Sequence, residues 1–167
     1  MKRLLSIISA LALAALAANA QPYRLSEGVA YEPPFDKGGH GIAIVIKPWV
    51  STHNFIDCSG CYYTDNAGFE FAGVYMWNLP VPVLNGLNAH VGPGAHFSVV
   101  TDGSGSYGEL KHVEYGIVAD VGLEYIIPKT HLSIAFDYRP HFTRVTKDGG
   151  HQTFDLRRLR IGVNLCF

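Results

Sequence analysis

Leu159-Arg160-Ile161-Gly162-Val163-Asn164-Leu165-Cys166-Phe167 ends the chain with an apolar side chain at every second position. Leu159, Ile161, Val163, Leu165 and Phe167 share one face; Arg158, Arg160, Gly162, Asn164 and Cys166 share the other. A period of two marks an extended strand, because successive side chains leave a strand on opposite faces. The alternation runs back to about residue 113, and the less apolar face carries Asp, Glu, Arg, His and Gly rather than a solvated Lys/Glu mixture. An apolar outside around a polar inside belongs to a barrel standing in lipid.

Working outward, the chain divides into eight strand-like segments. They run at about 23–32, 40–49, 53–63, 69–79, 87–99, 113–127 and 132–142, with the eighth ending at Phe167. The sixth is the cleanest: Val113, Tyr115, Ile117, Ala119, Val121, Leu123, Tyr125 and Ile127 oppose Glu114, Gly116, Asp120, Gly122 and Glu124. The third is the weakest, its pattern blurred by Asp57, Ser59 and Gly60. Gly92-Pro93-Gly94 lies inside the fifth, and Pro93 has no donor for a ladder, so a bulge or kink is expected there.

Composition agrees with the pattern. Only 16% of residues are charged, against roughly 25% in soluble domains, while aromatics reach 12%. Beyond residue 20 no stretch approaches the ~20 apolar residues of a membrane helix. Eight strands of about 10–12 residues with their turns would use the available length. The expected fold is therefore all-β, an eight-stranded antiparallel up-and-down transmembrane barrel.

Residues 1–20 read as a cleaved secretory signal. Lys2 and Arg3 precede an apolar run from Leu4 to Ala17, and Ala18-Asn19-Ala20 offers a small-residue cleavage site. Gln21 follows instead of Cys, which argues against a lipid anchor. Residues 21–167 then form one barrel domain with a formal charge near −3, since two cations and no acid leave with the signal. No basic cluster with interleaved aromatics occurs, so nucleic acid is not an expected partner.

An even strand count puts both ends of the barrel on the periplasmic side and the first, third, fifth and seventh connections outside. The longest polar connections, Thr101–Lys111 and Val145–Thr153, then face outward, as short-inside, long-outside barrels have them. Aromatics sort the same way. Trp77, Tyr125 and Phe167 sit near periplasmic strand ends, and Tyr31, Phe69, Tyr115 and Phe142 near outer ends, the places for rings at a lipid–water boundary. A soluble lipocalin-like or avidin-like barrel would invert the faces. Its solvated exterior would have little reason to carry Gly92, Gly94, Gly116, Gly122 and Gly162.

At Gly92–Phe97, Gly122–Tyr125, Leu132–Pro140 and Arg160–Phe167 the chain resembles small eight-stranded outer-membrane barrels. These are the OmpX and OmpA transmembrane-domain type, closest to the outer membrane protein beta-barrel family of Bacteroidota. The resemblance covers the last half well and the first half by strand count. It implies a bacterial outer-membrane location, outer-membrane lipid around the wall and a blocked or narrow lumen; it does not imply an enzyme. A terminal Phe with alternating apolar residues resembles the signal read by the barrel-assembly machinery, with Leu165 and Cys166 as departures from the usual pattern.

Parity aims Glu70, Glu114, Asp120, Glu124, Asp137, Arg139, Arg158 and Arg160 into the lumen, together with Arg24, Glu32 and Lys47. An eight-stranded barrel has a bore that side chains just fill. Buried charges must pair, so the expected arrangement is a salt-bridge plug, with a narrow solute channel as the alternative. Two His-x-Ser triplets, His96-Phe97-Ser98 and His131-Leu132-Ser133, admit a lipid A-modifying hydrolase. Parity, however, turns all four His and Ser side chains inward, away from acyl chains. His90, His96, His131 and His141 also point inward, but the sixth strand separates the fifth from the seventh. No metal and no cofactor is expected. Cys58 and Cys61 leave a straight strand on opposite faces, so a bridge between them would need a bulge. The reading is a structural or surface-interaction protein, meeting an outside partner through the loops that carry Tyr107 and His151.

Overall fold

A computed structural model describes residues 24–34, 39–64, 68–101, 110–146, 152–156 and 158–167. The leader expected at residues 1–20 lies outside them. Ten strand segments occur among the described residues: β1 (Leu25–Glu32), β2 (Gly41–Pro48), β3 (Asn54–Tyr63), β4 (Gly68–Pro80), β5 (Leu87–Thr101), β6 (Leu110–Ile126), β7 (Leu132–Tyr138), β8 (His141–Val145), β9 (Gln152–Asp155) and β10 (Leu159–Cys166). Every pairing between them is antiparallel, and β1 pairs with β10 to close the wall.

The ten segments make eight staves. The expected seventh strand is one stave written as β7 and β8, because Pro140 interrupts the ladder. Its register against β6 does not slip: Val121 faces Tyr138 and Val118 faces His141. The Pro140 carbonyl still accepts from the Ala119 amide at 3.1 Å. The eighth stave, β9 and β10, does slip. Leu159 faces Tyr138, which in unbroken register would set Leu156 against His141, yet Asp155 stands there. One extra residue is thus accommodated between Asp155 and Leu159, a β-bulge that bends the stave.

Pro93 makes no such slip. Val74 faces Gly94 and Trp77 faces Val91 in one register, and β5 runs unbroken against β6 until Val100/Thr101. No bulge forms at Pro93, but the β4–β5 ladder is interrupted there, with no pair at Tyr75/Pro93 or Met76/Gly92. A register shift occurs at Val100/Thr101, near the strand's outer end and beyond the segment expected from the sequence. β5 and β6 are also longer than expected, reaching Thr101 and back to Leu110. Hence the two ends of the expected fifth connection, Thr101 and Leu110-Lys111, are wall, and the rest of it, 102–109, lies outside the described residues.

Side-chain alternation sets the two surfaces of this wall. Along β2, Ile42, Ile44 and Ile46 are exposed while Ala43, Val45 and Lys47 are buried. Along β4, Phe69, Phe71, Tyr75, Trp77 and Leu79 face out against Glu70, Ala72, Val74, Met76 and Asn78. The inside is not uniformly polar. Ala30, Ala43, Val45 and Cys61 form one apolar patch, and Phe55, Val74, Met76 and Val118 another. Cys58 is exposed and Cys61 buried, both as free thiols, on a strand whose ladders to β2 and β4 are unbroken.

Candidate functional site

Among the described residues the lumen concentrates the charged side chains, and it is organised in layers. Nearest the short turns, Lys47 on β2 reaches Glu124 on β6, with Nζ 3.3 Å from Oε1. The same oxygen accepts from Ser133 Oγ at 2.7 Å and from Asn164 Nδ2 at 3.2 Å. The Lys47 ammonium also sits 5.7 Å from the centroid of the Phe55 ring.

In the middle, Arg160 on β10 donates through Nε to Asp137 at 2.8 Å. Its two terminal nitrogens fork onto Asp57 at 3.1 and 2.7 Å. Asp57 stands on β3, three staves away around the wall. The side chain therefore crosses the bore. Arg139 completes the girdle, 3.0 Å from Asp120 and 3.6 Å from Asp57, with Nη1 donating to Ser59 Oγ at 3.1 Å. His90 Nε2 donates to Asp137 at 2.7 Å.

Above it, Arg158 donates to Glu70 at 2.6 Å, to Tyr63 at 3.1 Å and to Asp155 at 3.0 Å. The bulge brings Asp155 and Arg158 to this point together. Tyr63 in turn donates to Glu32 at 2.6 Å. His96 and His141 lie beside Glu70 with ring centroids 4.4 Å apart and planes tilted by 41°. Near the mouth, Glu114 pairs with His112 at 2.8 Å.

Two glycines of β6 explain how side chains on non-adjacent staves meet. Gly122 sits between His90 and Asp137, and a Cβ there would run into Asp137 Oδ1 and His90 Nε2. Gly116 sits between His96 on β5 and Thr143 on β8; a Cβ there would lie 2.9 Å from His96 Nε2 and would strike the Phe142 carbonyl. With no side chain of its own at these two levels, β6 lets its neighbours touch across it.

Of the expected lumen set, Glu70, Asp120, Glu124, Asp137, Arg139, Arg158 and Arg160 are joined in these layers, as are Glu32 and Lys47. Glu114 stands apart with His112. Arg24 is exposed at the rim, its amide donating to the Phe167 carbonyl, so it does not enter the lumen. His131 is likewise outside. It precedes β7 in a turn where Lys129 has φ 65°, so strand parity does not extend to it, and its Nδ1 donates to the Cys166 carbonyl at 3.0 Å. The sixth strand does not keep the histidines of its neighbours apart, as the ring contact of His96 and His141 shows. Sequence reasoning missed Asp57 as a hub. The signal was available, since 55, 57, 59 and 61 share one face of β3.

Outside, the exposed apolar side chains form a continuous belt. Tyr31, Phe69, Tyr115 and Phe142 are exposed toward the long connections, and Trp77 and Phe167 toward the short turns. Tyr125, at the same end opposite Leu87, is half-buried.

Among solved structures the chain is similar to the N-terminal β-barrel domain of Pseudomonas aeruginosa OprF. The TM-score is 0.65 at 13% identity, over 86% of this chain and 96% of that one. The fold is that of a small outer-membrane barrel. A de novo designed transmembrane β-barrel is also similar, with TM-score 0.57 and 16% identity over 89% and 99% of the two chains. So is Neisserial surface protein A, NspA, with TM-score 0.57 and 10% identity over 86% and 94%. No protein-family model matches, nor does any curated protein. Within this outer-membrane-barrel fold, neither His-x-Ser triplet forms a nucleophile–base pair. Ser133 Oγ is spent on Glu124 and Ser98 Oγ on Glu70, while His96 Nε2 faces Thr143.

Proposed function

We propose that the protein is a plugged barrel of the bacterial outer membrane, a rigid scaffold holding its outward connections for a partner outside the cell. The observation that carries this reading is the central girdle. Arg160, Asp57, Asp120 and Asp137 are each no more than 1% exposed. Water does not reach the groups that span the bore, so a hydrated ion has no path beside them. Charges this deeply buried persist only when paired and hydrogen-bonded, and here each carboxylate meets a guanidinium. The unassembled His-x-Ser triplets give no support to a hydrolase. The proposed contact surface carries Tyr107 and His151, in the segments 102–109 and 147–151, which lie outside the described residues.

Planar-bilayer recording tests this. The purified barrel, checked for its folded form before insertion, is expected to give no conductance steps across a broad voltage range. Discrete steps that scale with salt concentration would overturn the plugged reading in favour of a narrow solute channel.

A further inference from the structure

Beside Glu70, which Arg158 already holds, His96 and His141 each keep one ring nitrogen that the plug does not use. The three residues come from β4, β5 and β8, and one donor atom from each lies within 4.8 Å of the others. His96 Nδ1 is 4.0 Å and His141 Nδ1 3.9 Å from the same carboxylate oxygen, Glu70 Oε2. All three side chains are at least nine-tenths buried. Neither Nδ1 atom has a hydrogen-bond partner among the described residues. Two buried imidazole nitrogens thus approach one carboxylate oxygen without a hydrogen bond to it, and buried polar atoms left unpaired call for a partner.

We propose that Glu70, His96 and His141 bind a divalent transition-metal ion of the zinc class. Two imidazoles and one carboxylate suit such an ion, whose bonds to them are about 2.0–2.2 Å long. Ligand atoms around it would stand about 3.3–3.6 Å apart, so closure requires both imidazoles, now 4.0 and 3.9 Å from Glu70 Oε2, to draw in. Three protein donors leave a coordination position for water, the arrangement of an open site.

Other features favour the site. A metal-bound Nδ1 puts the ring proton on Nε2, and His96 Nε2 has Thr143 Oγ1 at 3.0 Å to receive it. Ser98 Oγ donates to Glu70 at 3.2 Å, orienting the carboxylate. Arg158 donates at 2.6 Å to Oε2, the oxygen that also accepts from Ser98, and opposes a second cation there, so the ion would draw chiefly on Oε1; Asp155 and Tyr63 also hold the guanidinium. A carboxylate has lone pairs enough for a guanidinium and a metal together. The comparable cluster of His90, Asp120 and Asp137 is a poorer host. Its carboxylates face Arg160 and Arg139, and His90 Nε2 is already bonded to Asp137.

The test uses the protein purified from outer membranes in detergent and stripped with a chelator. Calorimetry with Zn²⁺ is expected to find one ion per chain, and Co²⁺ a visible band of low-coordinate geometry. In isotope-labelled protein, Zn²⁺ is expected to shift the ring nitrogens of His96 and His141. His96→Gln and His141→Gln should each weaken binding at least ~10-fold, Thr143→Ala about 10-fold, and His112→Gln not at all. If a histidine variant fails to fold, the labelled wild-type spectrum decides by itself. Absence of Zn²⁺ binding, or binding that leaves the His96 and His141 resonances unmoved, overturns the proposal.

Discussion

Arg160 answers to three aspartates at once, and its substitution exposes what such a group does in a dry bore. Its guanidinium forks onto Asp57, bonds Asp137 at 2.7 Å and lies 3.7 Å from Asp120. A buried ion pair is weak evidence of net stability, because desolvation consumes much of the attraction. Removing one partner is another matter, since it strands charge without compensation. Arg160→Met keeps much of the side chain's volume and leaves Asp57 without its fork, a loss of about 3–5 kcal/mol in unfolding free energy. Adding Asp57→Asn to Arg160→Met should recover part of that loss, because the stranded charge goes with it. Urea unfolding of the barrel in lipid vesicles reads both variants. A single substitution that costs nothing would mean that water already enters the girdle.

At the scale of the strand, β6 is shaped by what it lacks. Gly116 and Gly122 open two windows through which β5 meets β8 and β7. Gly122→Ala puts a methyl group where His90 and Asp137 touch, forcing apart a 2.7 Å contact between buried groups. Overpacking of this kind costs about 1–3 kcal/mol, and the same unfolding assay should show it. Gly162→Ala is the contrast: a Cβ there meets its nearest neighbour, the Ala30 methyl, at 3.5 Å, ordinary packing distance. It should therefore cost much less. The alternation of β2, β4 and β10, and of β6 from Val113 onward, was legible because one face of each carries no polar side chain. Asp57 was not, because the outer face of β3 carries Cys58 and Gly60 where a clear pattern needs large apolar groups. His131 was misplaced because parity was carried one residue past the strand into a turn. The contact of His96 with His141 depends on an absent side chain, which a pattern of hydrophobicity does not register as a doorway.

For the whole molecule, everything rests on the seam where the chain's first and last strands meet. Val29 faces Val163 across β1 and β10, with Ala30 opposite Gly162 and Tyr31 opposite Ile161. Both valines point outward, at 60% and 48% exposure, so replacing them leaves the lumen untouched. Directly opposed positions on neighbouring strands lie within the Cα separation that a disulfide bridges, about 4.4–6.8 Å. With Cys58, Cys61 and Cys166 replaced by serine, Val29→Cys with Val163→Cys should cross-link within one chain on oxidation. The product links positions 134 residues apart, so the denatured chain should run faster on a non-reducing gel and lose that shift on reduction. Pairing Val29→Cys instead with Asn164→Cys aims one thiol outward and the other into the bore, because a step of one residue reverses the face. That pair should stay reduced. Efficient cross-linking of the second pair, or none of the first, would mean that β1 and β10 do not close in this register, and the layered lumen would then lack the wall that excludes water from it.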